Sequence, residues 1–113
     1  MRLRSDIWVS AYLRRCAVEG AFAVLRRRGA AEAGAILVKV DLRDGQCMLF
    51  GPAPQSEMMA DGRDRLWQPM HESVTLETVA AEERLRREIN FDPDLWIVEV
   101  ENSGGKHFLD LAQ

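Results

Sequence analysis

Ile7, Trp8, Ala11, Tyr12 and Cys16 recur at steps of three and four residues, the apolar stripe of an α-helix. The pattern predicts a helix over 6–19. Ser5 stands where an N-cap would sit, Asp6 puts a negative charge on the first turn, and Gly20 is placed to end the helix in the left-handed conformation. The period then changes. Phe22 and Val24 alternate with Ala21, Ala23 and Leu25, which predicts a strand over about 21–28. Asp44-Gly45 between AILVKVDL and QCMLF predicts a hairpin with a two-residue type I′ turn. With Arg43 opposite Gln46, Leu42 faces Cys47 and Val40 faces Leu49 on an apolar side. Lys39 then faces Phe50, and Asp41 faces Met48, on a mixed side.

Gly51-Pro52-Ala53-Pro54 ends this strand, and residues 55–64 read as a mobile loop. Pro69 restricts any strand around Arg65–His71 to a sheet edge. Thr75 opens a second helix with a stripe of Leu76, Val79, Ala81, Leu85 and Ile89, and Glu82–Arg86 and Glu83–Arg87 are spaced as ion pairs on its exposed side. Asn90 and Asp92-Pro93 stop it. Asp92 also reads as a turn residue whose side chain bonds nearby backbone N–H groups. In Leu95–Glu101 the alternation turns Trp96, Val98 and Val100 inward and Glu99 and Glu101 outward. Ser103-Gly104-Gly105 leads into a short last piece, KHFLDL. The expected architecture is mixed α/β of the α+β type: one largely antiparallel or mixed sheet of about four to six strands with two helices packed on it.

A chain of 113 residues fits a single domain, 1–113. Hydrophobic residues at 47% and charged residues at 29% exclude a disordered chain. Apolar runs such as GAFAVL are too short to cross a bilayer, and the basic N-terminus lacks the apolar region of a secretory signal. Cys16 and Cys47 have no CxxC or metal-finger spacing and fall on core positions. Free buried thiols in a reducing cytoplasm are therefore expected. Charge is uneven. Residues 1–30 hold seven arginines against Asp6 and Glu19, whereas the remainder holds eight bases against sixteen acids. Such a split suits a basic face for an anionic partner, or two parts that pack and neutralise each other; the second is preferred.

Pro93-Asp94 followed by Glu99 and Glu101 has the outline of a magnesium-dependent nuclease site, in which hard carboxylate ligands converge. No lysine stands two residues after an acid, and the outward side of a strand accounts for both glutamates. His71 and His107 lack HxH or HExxH spacing and read as surface or half-buried residues. Phosphate-cradling and nucleophile-elbow motifs are absent. Arg26-Arg27-Arg28, with Arg14 and Arg15, is the strongest basic feature; on a strand Arg27 points away from Arg26 and Arg28.

The set RSDIWVSAYLRRC, GAFAVLRRRG, EAGAILVKV, GPAP, FDPDLWIVEVE and KHFLD resembles a small bacterial family, domain of unknown function 1491, over nearly the whole chain. The resemblance implies a stand-alone cytoplasmic domain of this length and carries no activity, cofactor or catalytic residue. The expectation from the residues is a non-enzymatic cytoplasmic domain, without cofactor or membrane attachment, that acts through protein contacts as a homodimer. Three tryptophans and five methionines in a small domain favour an interface. One alternative is a nucleic-acid or anionic-ligand binder using Arg14, Arg15, Arg26 and Arg28. A second is a metal-dependent hydrolase using Asp92, Asp94, Glu99 and Glu101.

Overall fold

Residues 5–18 form the first helix, α1 (Ser5–Val18), in a computed structural model that describes residues 3–54 and 65–112. Ser5 is not its cap. Arg4 takes that position, and the first helical N–H groups donate instead to loop carbonyls, Ser5 N–H to Glu32 O and Asp6 N–H to Ala31 O. Ser5 is buried inside the first turn, and its Oγ donates to Gly34 O at 2.6 Å. The helix ends as its glycine predicts. Gly20 has φ +79, Gly20 N–H donates to Ala17 O and Ala21 N–H to Cys16 O, the paired bonds of a Schellman cap. Val9, Tyr12 and Cys16 form the buried face, while Ile7 lies on the exposed side.

The strands are β1 (Phe22–Arg27), β2 (Ile36–Asp41), β3 (Gln46–Pro52), β4 (Trp67–Pro69), β5 (Leu76–Glu77) and β6 (Trp96–Glu101). They make one mixed sheet in the order β1-β6-β2-β3-β4, with β5 on β3. The last strand lies near the middle, parallel to β2 and antiparallel to β1. Helix α2 spans Thr78–Phe91 rather than opening at Thr75, because Leu76 and Glu77 first pair with Cys47 and Gln46. Asp92 is extended after it, and its Oδ1 accepts the Asp94 N–H at 3.0 Å, the expected turn.

The hairpin is where expectation, but its register differs by one residue. Leu42 N–H donates to Gln46 O, Asp41 pairs with Cys47, Val40 with Met48 and Lys39 with Leu49. Arg43 (φ +68) and Gly45 (φ +84) are both left-handed, and the turn holds Arg43, Asp44 and Gly45. A slip of one residue exchanges which β3 side chains share a face with Val40 and which with Lys39. Val38, Val40 and Phe50 therefore join Val9, Tyr12, Cys16, Trp67, Trp96 and Val98 beneath α1. Cys47 and Leu49 instead join Leu37, Ile97, Ala81 and Leu85 beneath α2. The sheet is covered on both faces, one helix to each.

The two edges of the sheet differ. At β4, Pro69 removes one donor, and the chain near its end continues the sheet: Trp67 N–H donates to Asp110 O and Ala112 N–H to Trp67 O. KHFLDL forms only this bridge, at Leu111, rather than a strand. The outer side of β1 meets no strand among the described residues. The loop expected over 55–64 lies outside them.

Candidate functional site

Lys39 alternates with Val38 and Val40 and so points to the α2 side of the sheet, where it is only 4% exposed. A lysine ammonium is costly to bury without an anion, and two carboxylates meet it. Glu82 Oε2 from α2 lies 2.7 Å from Lys39 Nζ, and Glu99 Oε1 from β6 lies 3.6 Å away. Arg26, at the end of β1, closes the ring. Its two terminal nitrogens grip Glu82 at 2.7 and 2.8 Å, and one also reaches Glu99 at 3.0 Å. Glu82 thus joins this cluster instead of pairing with Arg86, and the pair along the helix surface is Arg84–Glu88.

Two cations and two anions balance. The Arg26 hydrogen bond, aided by Lys39, brings Glu82 down to about 2, so it is a carboxylate at any physiological pH and no proton donor. Burial pulls Lys39 down, but the hydrogen bond to Glu82 and the charges of both glutamates outweigh it and hold the ammonium charged. Every charge is engaged within the cluster, which fastens α2 to three strands. The sequence pairs Glu82 with Arg86 and leaves Lys39 on a mixed face, because the packing of α2 across the strands is not local.

The acidic candidates do not assemble. Glu99 belongs to this cluster, Asp92 caps its own turn, and Glu101 sits opposite Phe22 and Asp41. No group of three or more His, Cys, Asp or Glu positioned for a metal ion occurs among the described residues. The arginines part company as well. Arg26 lies on the α2 side and Arg27 donates to Pro93 O at 2.7 Å. Arg28 stacks over Trp96 at 5.3 Å and Arg15 over Phe108 at 5.7 Å. Arg14 and Arg28 share a groove beside α1.

The structure brings the two histidines to one cavity of about 320 Å³ floored by Phe50 and Met48. Both have backbone duties. His71 Nε2 accepts the Leu49 N–H at 3.1 Å while its Nδ1 meets Ser73 O at 2.7 Å, which makes Nδ1 the protonated nitrogen. His107 Nδ1 accepts the Leu109 N–H at 3.0 Å, and burial lowers its pKa. Cys16 and Cys47 are free and fully buried, and burial raises both thiol pKa values.

The β1 edge is the largest feature that sequence reasoning missed. Phe22 and Val24 share the α2 side with Glu99, yet α2 packs over β3 and leaves them 62% and 40% exposed. Ala23 and Leu25 are the inward residues of β1. An alternation that turns an aromatic and a β-branched residue to solvent is the signal that marks this strand.

A family model described as "Protein of unknown function (DUF1491)" matches residues 3–110. A crystal structure of a DUF1491 family protein from Caulobacter crescentus CB15 is 38% identical, with TM-score 0.80 and 100% of each chain covered. The solution structure of protein Atu0922 from A. tumefaciens is 41% identical, with TM-score 0.80, covering 100% of this chain and 97% of that one. An NMR structure of a DUF1491 family protein from Caulobacter crescentus CB15 is 40% identical, with TM-score 0.79 and 100% and 99% covered. No curated protein matches the chain. The fold and the matched residues together place this chain in the DUF1491 family, whose function is unknown.

Proposed function

We propose that this is a non-enzymatic protein-contact domain that pairs with a second copy of itself, edge to edge, through β1. The observation that carries the reading is the contrast between the two sheet edges. An open edge normally carries charged side chains that repel another strand. Here β4 is covered by residues 110–112, whereas no described strand covers the outer side of β1, and its guards are withdrawn. Arg26 is folded onto Glu82 and Glu99, Arg27 onto Pro93 and Arg28 onto Trp96.

The strand suits its own copy. In an antiparallel pair centred on Val24, Val24 meets its counterpart and Phe22 lies opposite Arg26 of the second copy, whose aliphatic stem is left to pack on the ring while its guanidinium stays on Glu82 and Glu99. Ala23 falls opposite Leu25, and no arginine faces another. The irregularity between Leu25 and Arg27 limits the pairable length, so the interface is small and of the transient class, below about 1,200 Å². Two free buried thiols suit a reducing cytoplasm.

Sedimentation equilibrium from micromolar to millimolar protein tests this. A reversible dimer is expected, and Val24→Arg, which sets two like charges face to face at an exposed position, should return it to monomer. A monomer across the whole range, or a dimer indifferent to that change, overturns the reading.

A further inference from the structure

On the other side of the sheet, and independent of β1, a cavity of about 220 Å³ opens between α1, β4 and the chain after β6. Its walls are aromatic. Trp8 stacks on Tyr12 with centroids 4.9 Å apart and 14° between planes, and Trp67 lies 5.0 Å from Trp8. Phe108 lines the same cavity.

Three observations give this cavity a chemistry. Phe108 has φ +58, a left-handed backbone rare for a bulky residue, and such conformations gather where a side chain must be aimed. The Arg15 guanidinium rests on the Phe108 ring at the cavity wall and has no carboxylate partner among the described residues. Arg65 adds a second positive charge to the wall while donating to Leu3 O at 3.0 Å and Ser5 Oγ at 3.3 Å. Asp110 is the acidic side chain in the same wall. A cavity of about 150 Å³ already takes a benzene ring. We infer that this cavity binds a small planar aromatic carboxylate, its ring between Trp8 and Phe108 and its carboxylate on Arg15. Aromatic faces accept a flat ring, and a guanidinium fork matches a carboxylate in its plane.

Naphthoate, its uncharged amide and naphthylmethylammonium serve as probes, followed by the indole N–H signals in nitrogen-15 NMR spectra. Naphthoate should shift Trp8 and Trp67 but not Trp96, whose indole N–H is held by Ala30 O and lies outside this wall. It should bind about tenfold more tightly than the amide, because a hydrogen bond to a charged group contributes more than one to a neutral group. Arg15→Met should erase that preference, and Ala11→Leu, which fills the space from an exposed helix position, should weaken both probes. Equal binding of the three probes by the unaltered protein, or no shift of Trp8 and Trp67 at millimolar naphthoate, overturns the inference. So does an undiminished carboxylate preference in folded Arg15→Met.

Discussion

Replacing Glu82 by glutamine tests the cluster that fastens α2. Glu82 has an ordinary pKa of 4.5 and is brought to about 2 by Arg26 and Lys39. That gap corresponds to roughly 3 kcal/mol favouring the folded carboxylate. Solvent reaches nearly a third of the side chain, so screening reduces the figure to about 1–2 kcal/mol. The folded value lies below the unfolded one, so the stabilisation is complete above about 4.5 and disappears as pH falls through about 2. Glu82→Gln removes the titrating group and leaves Lys39 with only the longer contact to Glu99. Urea unfolding followed by circular dichroism over a pH series reads both effects. The variant should be less stable by about 1–2 kcal/mol at neutral pH, and the two stability curves should converge toward pH 2. Parallel curves, or equal stability at neutral pH, would show that the cluster is solvated and does not hold α2.

Gly29→Ala should destabilise the fold by about 2 kcal/mol or more in the same urea assay. Its Cβ would overlap the Asp94 carbonyl oxygen and lie 2.7 Å from both the Leu95 carbonyl carbon and Trp96 Cδ1. A neutral substitution would mean that the 29–34 loop can lift off the start of β6. His107 should titrate below 6.5 in proton NMR spectra because burial opposes its charged form, and its protonation should weaken the fold as pH falls through that range. A midpoint at or above 6.5 would mean that the ring is hydrated rather than packed against Phe50.

What the sequence made legible was local. The Gly20 cap, the Asp92 turn and the Pro69 edge each depend on a few consecutive residues, and all three stand as expected. The hairpin was locatable, but Asp44-Gly45 suggested two turn residues where Arg43 also adopts positive φ. That one extra residue put Cys47 and Leu49, rather than Met48 and Phe50, on the face of Lys39, and α2 covers that face. Helix α2 starts three residues late for a similar reason, since Leu76 pairs with Cys47, twenty-nine positions earlier. The candidate site was the least legible part. Glu82 had a suitable partner one helical turn away, and only the tertiary arrangement gave it better ones. The aromatic wall of Trp8, Trp67 and Phe108 likewise joins three segments far apart in the chain.

The central place of β6 has a kinetic consequence. During synthesis β1 leaves the ribosome ahead of the other described strands, yet the only one of them it pairs with is the last. It waits unpaired, with Phe22 and Val24 available to any neighbour, until some seventy further residues have been made. Pairings of this span slow folding and lengthen the interval in which chains stick to one another. Arg26, Arg27 and Arg28, tied down in the finished protein, are free during that interval. They then act as gatekeepers of a nascent strand, a duty that ends when Glu82 and Glu99 arrive to claim Arg26.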